Sequence, residues 1–478
     1  MSSVCRSARY NLRCAVYSFA GDPVRTCLIV GVVWAGLSLC SIFAIDATAA
    51  CAQDLQRTIQ SHDATAPSKQ ASGAQSYFAP QTLGVNIHFT QPLPGELEMI
   101  AAAGIGWVRM DFDWASTEQS MGVYDFSAYD GLLADLASYH IRAILILDYT
   151  NPLYDKGLSP HDDEGRAAFA AWAAAAAVHF RGHDVVWEMY NEPDLTWTPR
   201  PNAEAYAKLA LAVGKSLREA VPQAIYIGPA LSYRMNFPFL RVSLEAGLLT
   251  YWSAVSVHPY RQIAPETVES DYQKLRLLIA EYAPSGKNIP IVSSEWGYST
   301  YWNGFNNEVQ SKFLAREWLV NRASEIPLSI WYDWRDDPPD PKDPEESHFG
   351  IVFRRYFAGR RPVFDPKQAY SATKTANQLL THYDFVRRIA VASSEDWVLV
   401  FQDPEGHLTV VVWTTGENHN VLIPLAPGVY KVRSYLGQNL PALTAGPEGL
   451  TIQLTDAPRY LTRKDGVSLH HDRTPETE

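Results

Sequence analysis

The sequence predicts an α/β protein, a (β/α)8 TIM barrel with a C-terminal antiparallel β-sandwich, on three observations. The 478 residues are 47% hydrophobic and 12% aromatic, which supplies a sizeable core and excludes a disordered chain. Between Leu83 and Leu380, strand-like and helix-like segments alternate, which is typical of a parallel sheet built from βα units. After His382 the pattern changes to period-two segments, which indicates antiparallel strands.

Eight segments fit the strands of the barrel, a fold that commonly needs about 250 residues or more. These strand candidates are 83–89, 107–112, 143–148, 185–190, 224–228, 254–258, 289–294 and 328–332. Helix candidates between and after them include 95–103, 167–180, 203–220, 268–282, 309–324 and 367–380. The later strands are predicted at 397–401, 408–413, 420–424, 429–435 and 450–454.

The N-terminal region has the pattern of an export signal. Residues 27–44 carry no charge, four arginines precede them, and the small-residue segment 47–52 follows. The apolar run is also just long enough to span a bilayer as an uncleaved anchor, and Cys51 allows a lipoprotein interpretation. Either way the body of the protein is expected to cross the membrane, to a periplasmic or extracellular location.

The sequence divides into five expected regions. They are a signal peptide or anchor at 1–52, a flexible linker at 53–80, the catalytic barrel at 81–382, the β-sandwich at 383–463 and a disordered tail at 464–478.

Charge and cysteine placement exclude several classes of partner. The net charge is −12 without a basic block, so nucleic acid is not expected as a partner. All five cysteines lie in the first 51 residues, and the histidines lack a paired metal-binding spacing. The sequence therefore predicts neither a cofactor nor a metal.

Two carboxylates stand at strand ends, where a barrel of this type places its active site. Glu192 follows the fourth strand in VVWEMYNEPD, and Glu295 follows the seventh in IPIVSSEWGYST. Strands four and seven lie across the barrel from each other. A pair of opposed carboxyls about 5 to 5.5 Å apart can cleave a glycosidic bond through a covalent intermediate.

These motifs resemble the clan of retaining (β/α)8 glycoside hydrolases over Leu83 to about Leu380. The Asn191-Glu192-Pro193 triplet and Glu295 before Trp296-Gly297 carry the resemblance. The segments VRMDFDW, GVYDFSAYD, His258-Pro259-Tyr260 and IWYDWRDD followed by Phe349-Gly350 look most like family 39 and family-5-like hydrolases of bacterial exopolysaccharides.

The resemblance implies a role for each matching residue. Glu192 would be the acid/base and Glu295 the nucleophile, with Arg109 and Tyr260 as partners of Glu295. Asn191 would bind the sugar 2-hydroxyl, and His258 would line the same pocket. The alternative is that these residues are only structural. Arg109 would then form a salt bridge with Asp111 or Glu188, and His258 would be a core histidine whose hydrogen bonds are all made within the protein.

Aromatic residues are expected to form sugar platforms. Trp331 and Trp334 lie on either side of the end of strand eight. One of them is expected to stack against the sugar next to the scissile bond. For Trp331 the alternative is that it only packs in the core. Further candidate platforms on the upper loops are Trp114, Trp197, Trp296 and Trp302, and His88 and Asp148 are less specific candidates at the barrel mouth.

The sequence as a whole favours an exported retaining β-glycoside hydrolase that cleaves inside polysaccharide chains and needs no metal or cofactor. Two alternatives remain open at this point. One is a catalytically silent polysaccharide-binding protein that serves secretion, and the other is a transglycosylase using the same residues.

Overall fold

The computed structural model describes residues 77–79, 81–195, 200–233 and 235–464. The predicted export segment, nearly all of the linker and the tail lie outside these ranges. Within them, no helix has both the length and the apolar character that crossing a membrane requires.

Eight parallel strands close into a barrel, which confirms the predicted fold class. Each strand pairs with the next along the chain, and the first pairs with the eighth. The strands are β1 (Leu83–Asn86), β2 (Trp107–Asp113), β3 (Arg142–Asp148), β4 (Val185–Met189), β5 (Ile225–Leu231), β6 (Ala254–Val257), β7 (Ile291–Trp296) and β8 (Ser329–Trp331). All of the predicted barrel strands are present, with small differences at their ends.

Helices surround the barrel and begin at polar caps. Asp162, Asn202 and Asn306 each accept a hydrogen bond from a backbone N–H of the first turn, which satisfies a donor that the helix leaves unpaired. The helices are α1 (Glu96–Ala102), α2 (Trp114–Thr117), α3 (Ser127–Ser138), α4 (Asp163–His179), α5 (Ala203–Ala220), α6 (Phe237–Glu245), α7 (Glu269–Tyr282), α8 (Asn307–Ala323) and α9 (Gln368–Leu380).

The interior of the barrel is apolar at the bottom and polar at the top. The lower layer contains Trp107, Val186 and Val292, and Phe78 closes it from below. Position 84 in this layer requires glycine, because a Cβ atom there would lie only 2.4 Å from Ile330 Cδ1.

The inward-facing residues two positions further along the strands are polar, because side chains alternate between the two faces of a strand. This upper layer contains Asn86, Arg109, Glu188, Ser256 and Ser294, all of them buried. Polar groups are costly to bury without partners, so this layer marks the end of the barrel where a site is expected.

The remaining strands follow the barrel. They are β9 (Val352–Tyr356), β10 (Phe364–Pro366), β11 (Asp384–Arg388), β12 (Asp396–Gln402), β13 (Leu408–Thr414), β14 (His419–Ile423), β15 (Gly428–Ser434), β16 (Asn439–Ala445), β17 (Leu450–Leu454) and β18 (Arg459–Arg463). An antiparallel sheet in the order β11-β12-β13-β18-β15-β16 packs against the pair β14-β17, which gives the predicted sandwich. The sequence prediction missed five of these strands, namely β9, β10, β11, β16 and β18.

The other face of the six-stranded sheet packs on the barrel. Trp397 and Trp413 stack with their ring centroids 5.2 Å apart, and both belong to the same core cluster as the barrel helices. Trp413 Nε1 donates a 2.7 Å hydrogen bond to Glu266 Oε1, which also pairs with Arg316. The barrel-facing side of this sheet therefore belongs to the same core cluster as the barrel helices, whereas the interior of the sandwich forms a cluster of its own.

Candidate active site

Glu192 and Glu295 meet across the mouth of the barrel. One carboxylate oxygen of each and a ring nitrogen of His258 lie within 4.8 Å of one another. Glu295 is in β7, whereas Glu192 stands three residues after the end of β4. The chain reaches Glu192 through left-handed backbone at Tyr190 (φ 65°) and at Glu192 itself (φ 48°). Such conformations cost about 1–3 kcal/mol each and are typical of functional sites.

Hydrogen-bond donors surround the Glu295 carboxylate. Arg109 Nη1 donates to Oε2 at 2.6 Å, Tyr260 OH donates to Oε1 at 2.8 Å, and Asn86 Nδ2 approaches Oε2 at 3.3 Å. The side chain is 12% exposed. A carboxylate with a cation and two further donors is held in one orientation, and its negative charge is stabilised.

Arg109 is the buried hub of the site. Its Nε donates to Glu188 Oε2 at 2.6 Å and its Nη2 to Asn191 Oδ1 at 2.9 Å, in addition to the Glu295 contact. Burial, the largest single effect, raises the pKa of Glu188, but the Arg109 charge and smaller contributions from other neighbours together outweigh it, and that pKa lies below its usual value. The structure thus combines the two sequence interpretations, because Arg109 binds both Glu295 and Glu188.

His258 is neutral and has a defined tautomer. Burial, the largest effect, and the Arg109 charge lower its pKa to about 4, although Glu295 and Glu188 oppose them. Arg109 Nη2 lies 3.2 Å from Nε2 and can only donate, so Nε2 is the acceptor. The proton is therefore on Nδ1, which donates to Glu192 Oε1 at 3.1 Å.

Arg109 and His258 have no exposed surface, so they hold the carboxylates instead of touching a substrate directly. This corrects their sequence assignment as substrate-binding residues. Asn191 and Tyr260 are partly exposed and remain candidates for substrate contact. Asn191 Nδ2 donates to Tyr149 OH at 2.9 Å, which brings a further aromatic residue to the mouth.

The expected platforms at Trp331 and Trp334 are wrong. Both side chains are fully buried, and their indole N–H groups donate to Phe349 O and to Glu96 Oε1, respectively. Ile330 faces the barrel interior, so alternation along β8 turns Trp331 outward into the helix layer. The packing alternative holds for Trp331.

The other proposed platforms are also mostly unavailable. Trp114 and Trp296 are fully buried, Trp302 is half-buried and donates to Glu345, and Trp197 lies outside the described residues. Tyr301 is 53% exposed on the loop after β7. Asp148 is buried, and burial followed by its neighbours Asp111 and Asp113 raises its pKa well above the usual value.

Asn86 is a site residue that sequence reasoning missed. It pairs in register with Arg109 on the neighbouring strand, so both side chains reach Glu295 from one side. The only signal in the sequence was its position at the end of the first strand, in a segment GVNIHF without a recognisable motif. Tyr149, next to the predicted mouth residue Asp148, was missed for the same reason.

Comparison with known proteins agrees with the barrel fold. The family described as Cellulase (glycosyl hydrolase family 5) matches residues 73–337. No curated protein shows significant similarity to the sequence. A family 39 glycoside hydrolase from Bacteroides cellulosilyticus WH2 is 23% identical with a TM-score of 0.69, covering 81% of this chain and 82% of its own.

Two further solved structures show the same fold at lower identity. A family 30 subfamily 8 xylanase from Clostridium acetobutylicum is 13% identical with a TM-score of 0.56, covering 80% of this chain and 95% of its own. A glucosidase from Croceicoccus marinus is 15% identical with a TM-score of 0.56, covering 80% and 96%.

Proposed function

The chain belongs to the cellulase family, glycosyl hydrolase family 5, and is a glycosidase; we propose that it retains the β-configuration and cleaves inside polysaccharide chains. The observation that carries the proposal is the approach of the Glu192 and Glu295 carboxylates to within 4.8 Å. Retaining enzymes separate these groups by about 5–5.5 Å, whereas inverting enzymes leave about 6.5–9.5 Å for a water molecule.

In this proposal Glu295 is the nucleophile. Arg109, Tyr260 and Asn86 orient its carboxylate, and Arg109 compensates its charge before attack on the anomeric carbon. The bond to the leaving oxygen breaks as an ester to Glu295 forms, and water later hydrolyses that ester. Arg109 also fixes Asn191, whose partly exposed amide is placed to bind the sugar 2-hydroxyl.

Glu192 is the acid/base. Its Oε1 accepts the His258 Nδ1–H, which fixes the orientation of the carboxyl group. Because His258 stays neutral above a pH of about 4, it cannot itself protonate the leaving group near neutral pH. Glu192 therefore donates that proton in the first step and takes one from water in the second.

A polymeric substrate is proposed from two observations. The xylanase and an endo-β1,6-glucanase with a TM-score of 0.56 and 10% identity share the fold. The loop after β7 also presents Tyr301, whose ring packs 5.5 Å from that of His348, outside the catalytic pair. An exposed aromatic on a loop that follows a barrel strand suits an additional sugar ring.

Replacing Glu192 with alanine should lower hydrolysis of unactivated glycans by about 10²- to 10⁴-fold, because the leaving oxygen loses its proton donor. With an aryl glycoside that needs no protonation, azide should restore the rate and yield the β-glycosyl azide. Proton NMR identifies this product. In a separate measurement on the unaltered enzyme, proton NMR should show that the β-anomer is released first. Release of the α-anomer would contradict retention, and failure of azide rescue would contradict the role of Glu192.

We also propose export, on the arginine-flanked apolar run at 27–44, which lies outside the described residues. Fractionation of cells that produce the full chain should place it outside the cytoplasm or in the membrane fraction. Replacing Arg9 and Arg13 with glutamate should reduce that transfer, and a fully cytoplasmic parent chain would contradict the proposal.

A further inference from the structure

The hairpin formed by β9 and β10 carries a local excess of positive charge in an acidic chain. Two arginine pairs, Arg354-Arg355 and Arg360-Arg361, stand in a segment without any acidic residue, whereas the whole chain has a net charge of −12. The residues between the pairs keep them from forming a continuous basic run in the sequence. The proposed mechanism does not use this hairpin, so its charge requires another explanation.

The hairpin stands at the catalytic end of the barrel. It follows β8, and the backbone N–H of Asp336, in the loop after that strand, donates to Val352 O at 3.1 Å. Tyr356 OH donates to Pro94 O at 3.0 Å, and Pro94 belongs to the loop between β1 and α1. Loops that follow barrel strands lie at the rim that holds the active site. The hairpin therefore flanks the cleft beside β8 and β1.

Only part of this positive charge is compensated within the protein. Arg360 pairs with Asp365 at 2.8 Å. Arg361 pairs with Glu98 at 3.1 Å. The pair Arg354-Arg355 is exposed, and neither residue forms an ion pair with any residue that the structure describes. Two neighbouring guanidinium groups without a counter-charge attract anions from solution.

Aromatic side chains share the hairpin with the arginines. Arg355 and Arg360 lie over the ring of Phe357, at 4.8 and 3.7 Å from its centroid. This ring brings the two arginine pairs together and limits the motion of both guanidinium groups. Phe353 is 41% exposed, and alternation along β9 puts it on the same face as Arg355. An exposed ring beside guanidinium groups suits a sugar that has both an apolar C–H face and a carboxylate.

We propose that the β9–β10 hairpin binds an acidic polysaccharide, one whose sugars carry carboxylate groups. Arg354 and Arg355 supply the donors, because a guanidinium group can bind a carboxylate through two parallel hydrogen bonds. Phe353 supplies a surface on which a sugar ring stacks. A chain bound there continues into the neighbouring cleft. That this polymer is also the substrate rests on the proposed glycosidase function, whereas binding at the hairpin does not.

A polysaccharide suits this surface better than an anionic membrane does. The hairpin stands beside the rim through which a polymer enters the cleft, and a bilayer bound there would hinder that entry. The negative charge of the rest of the chain repels any polyanion, so favourable contacts are confined to the hairpin.

The test compares two hexasaccharides that differ in charge. A β-1,4-mannuronate hexasaccharide carries a carboxylate on every ring, and β-1,4-mannohexaose has the same linkage and configuration without it. Calorimetric titration of the full chain should show at least about fivefold tighter binding of the acidic hexasaccharide. Adding about 0.5 M NaCl should remove most of this difference, because salt screens exposed charges.

Variants locate the binding. Replacing both Arg354→Gln and Arg355→Gln should weaken mannuronate binding by about five- to tenfold and leave mannohexaose binding unchanged. Phe353→Ala should weaken mannuronate binding by about threefold through the loss of stacking. The matched control, Arg387→Gln with Lys431→Gln, removes two exposed charges from the sandwich that also form no ion pair among the described residues. This control should bind as the parent does. Circular dichroism checks that each variant is folded.

Three results would overturn the proposal. One is equal affinity of the parent chain for the two hexasaccharides. Another is an equal loss of binding in the hairpin and sandwich variants, which would indicate only long-range attraction. A third is binding to phosphatidylglycerol vesicles but not to mannuronate, which would make the hairpin a lipid-docking surface. Because no turnover is measured, a chain that binds mannuronate at the hairpin but hydrolyses no glycan would contradict the proposed function alone.

Discussion

Replacing Glu295 with glutamine should reduce glycan turnover on the order of 10⁴-fold or more, with little change in the melting temperature. The amide cannot form the ester intermediate, but it fills the same volume. Arg109 keeps its 2.6 Å contact with Glu188, so the buried guanidinium is not left without a negative partner. Initial rates and thermal unfolding of the two proteins measure the two effects.

Glu317→Gln is the matched control. Glu317 lies in α8, is fully buried, and neither carboxylate oxygen has a hydrogen-bond partner. Burial raises its pKa well above the usual value, which favours the neutral carboxyl that glutamine imitates. Turnover should stay close to that of the parent. A Glu295→Gln variant with more than a few per cent of parental activity would show that another residue attacks the sugar.

Replacing Arg109 with methionine should impair both stability and activity. The substitution leaves the buried Glu188 carboxylate without its cation, which typically costs about 3–5 kcal/mol in the free energy of unfolding. Glu295 and Asn191 lose the group that aligns them, so we expect turnover to fall by about three orders of magnitude. Denaturant unfolding and kinetics on an aryl glycoside measure the two losses.

A second substitution separates the two effects. Adding Glu188→Gln to Arg109→Met removes the unpaired charge, so stability should recover by at least about 1–2 kcal/mol. Turnover should not recover, because Glu295 still lacks its partner. A double variant no more stable than the single one would mean that the unpaired carboxylate is not the source of the instability.

Most of the barrel could be predicted from the sequence because each parallel strand is a short apolar run between polar connections. The same logic located Glu192 and Glu295, since strand ends converge at one rim. The resemblance to the glycoside hydrolase clan, and not strand geometry, implied the contacts of Arg109 and Tyr260 with Glu295, which the structure shows at 2.6 and 2.8 Å. Their chemical roles remain predictions that the variants above test.

Side-chain direction was the part that sequence could not supply. Trp331 faces the helix layer because Ile330 occupies the barrel interior, and the pattern IWYDW contains no clue to which residue turns inward. Near the upper rim the register between β7 and β8 shifts between Ser293 and Trp296, so simple alternation fails there. His88 and Asp333, which are 245 positions apart in the sequence, form a 3.2 Å ion pair because β8 closes the barrel against β1.

The Trp397–Trp413 stack has a consequence for cooperativity. Because these rings bury themselves against barrel helices, neither part can lose its structure without exposing apolar surface on the other. Heat or denaturant should therefore melt barrel and sandwich in one transition. A fragment that ends near His382 would carry a bare apolar patch and be prone to aggregate.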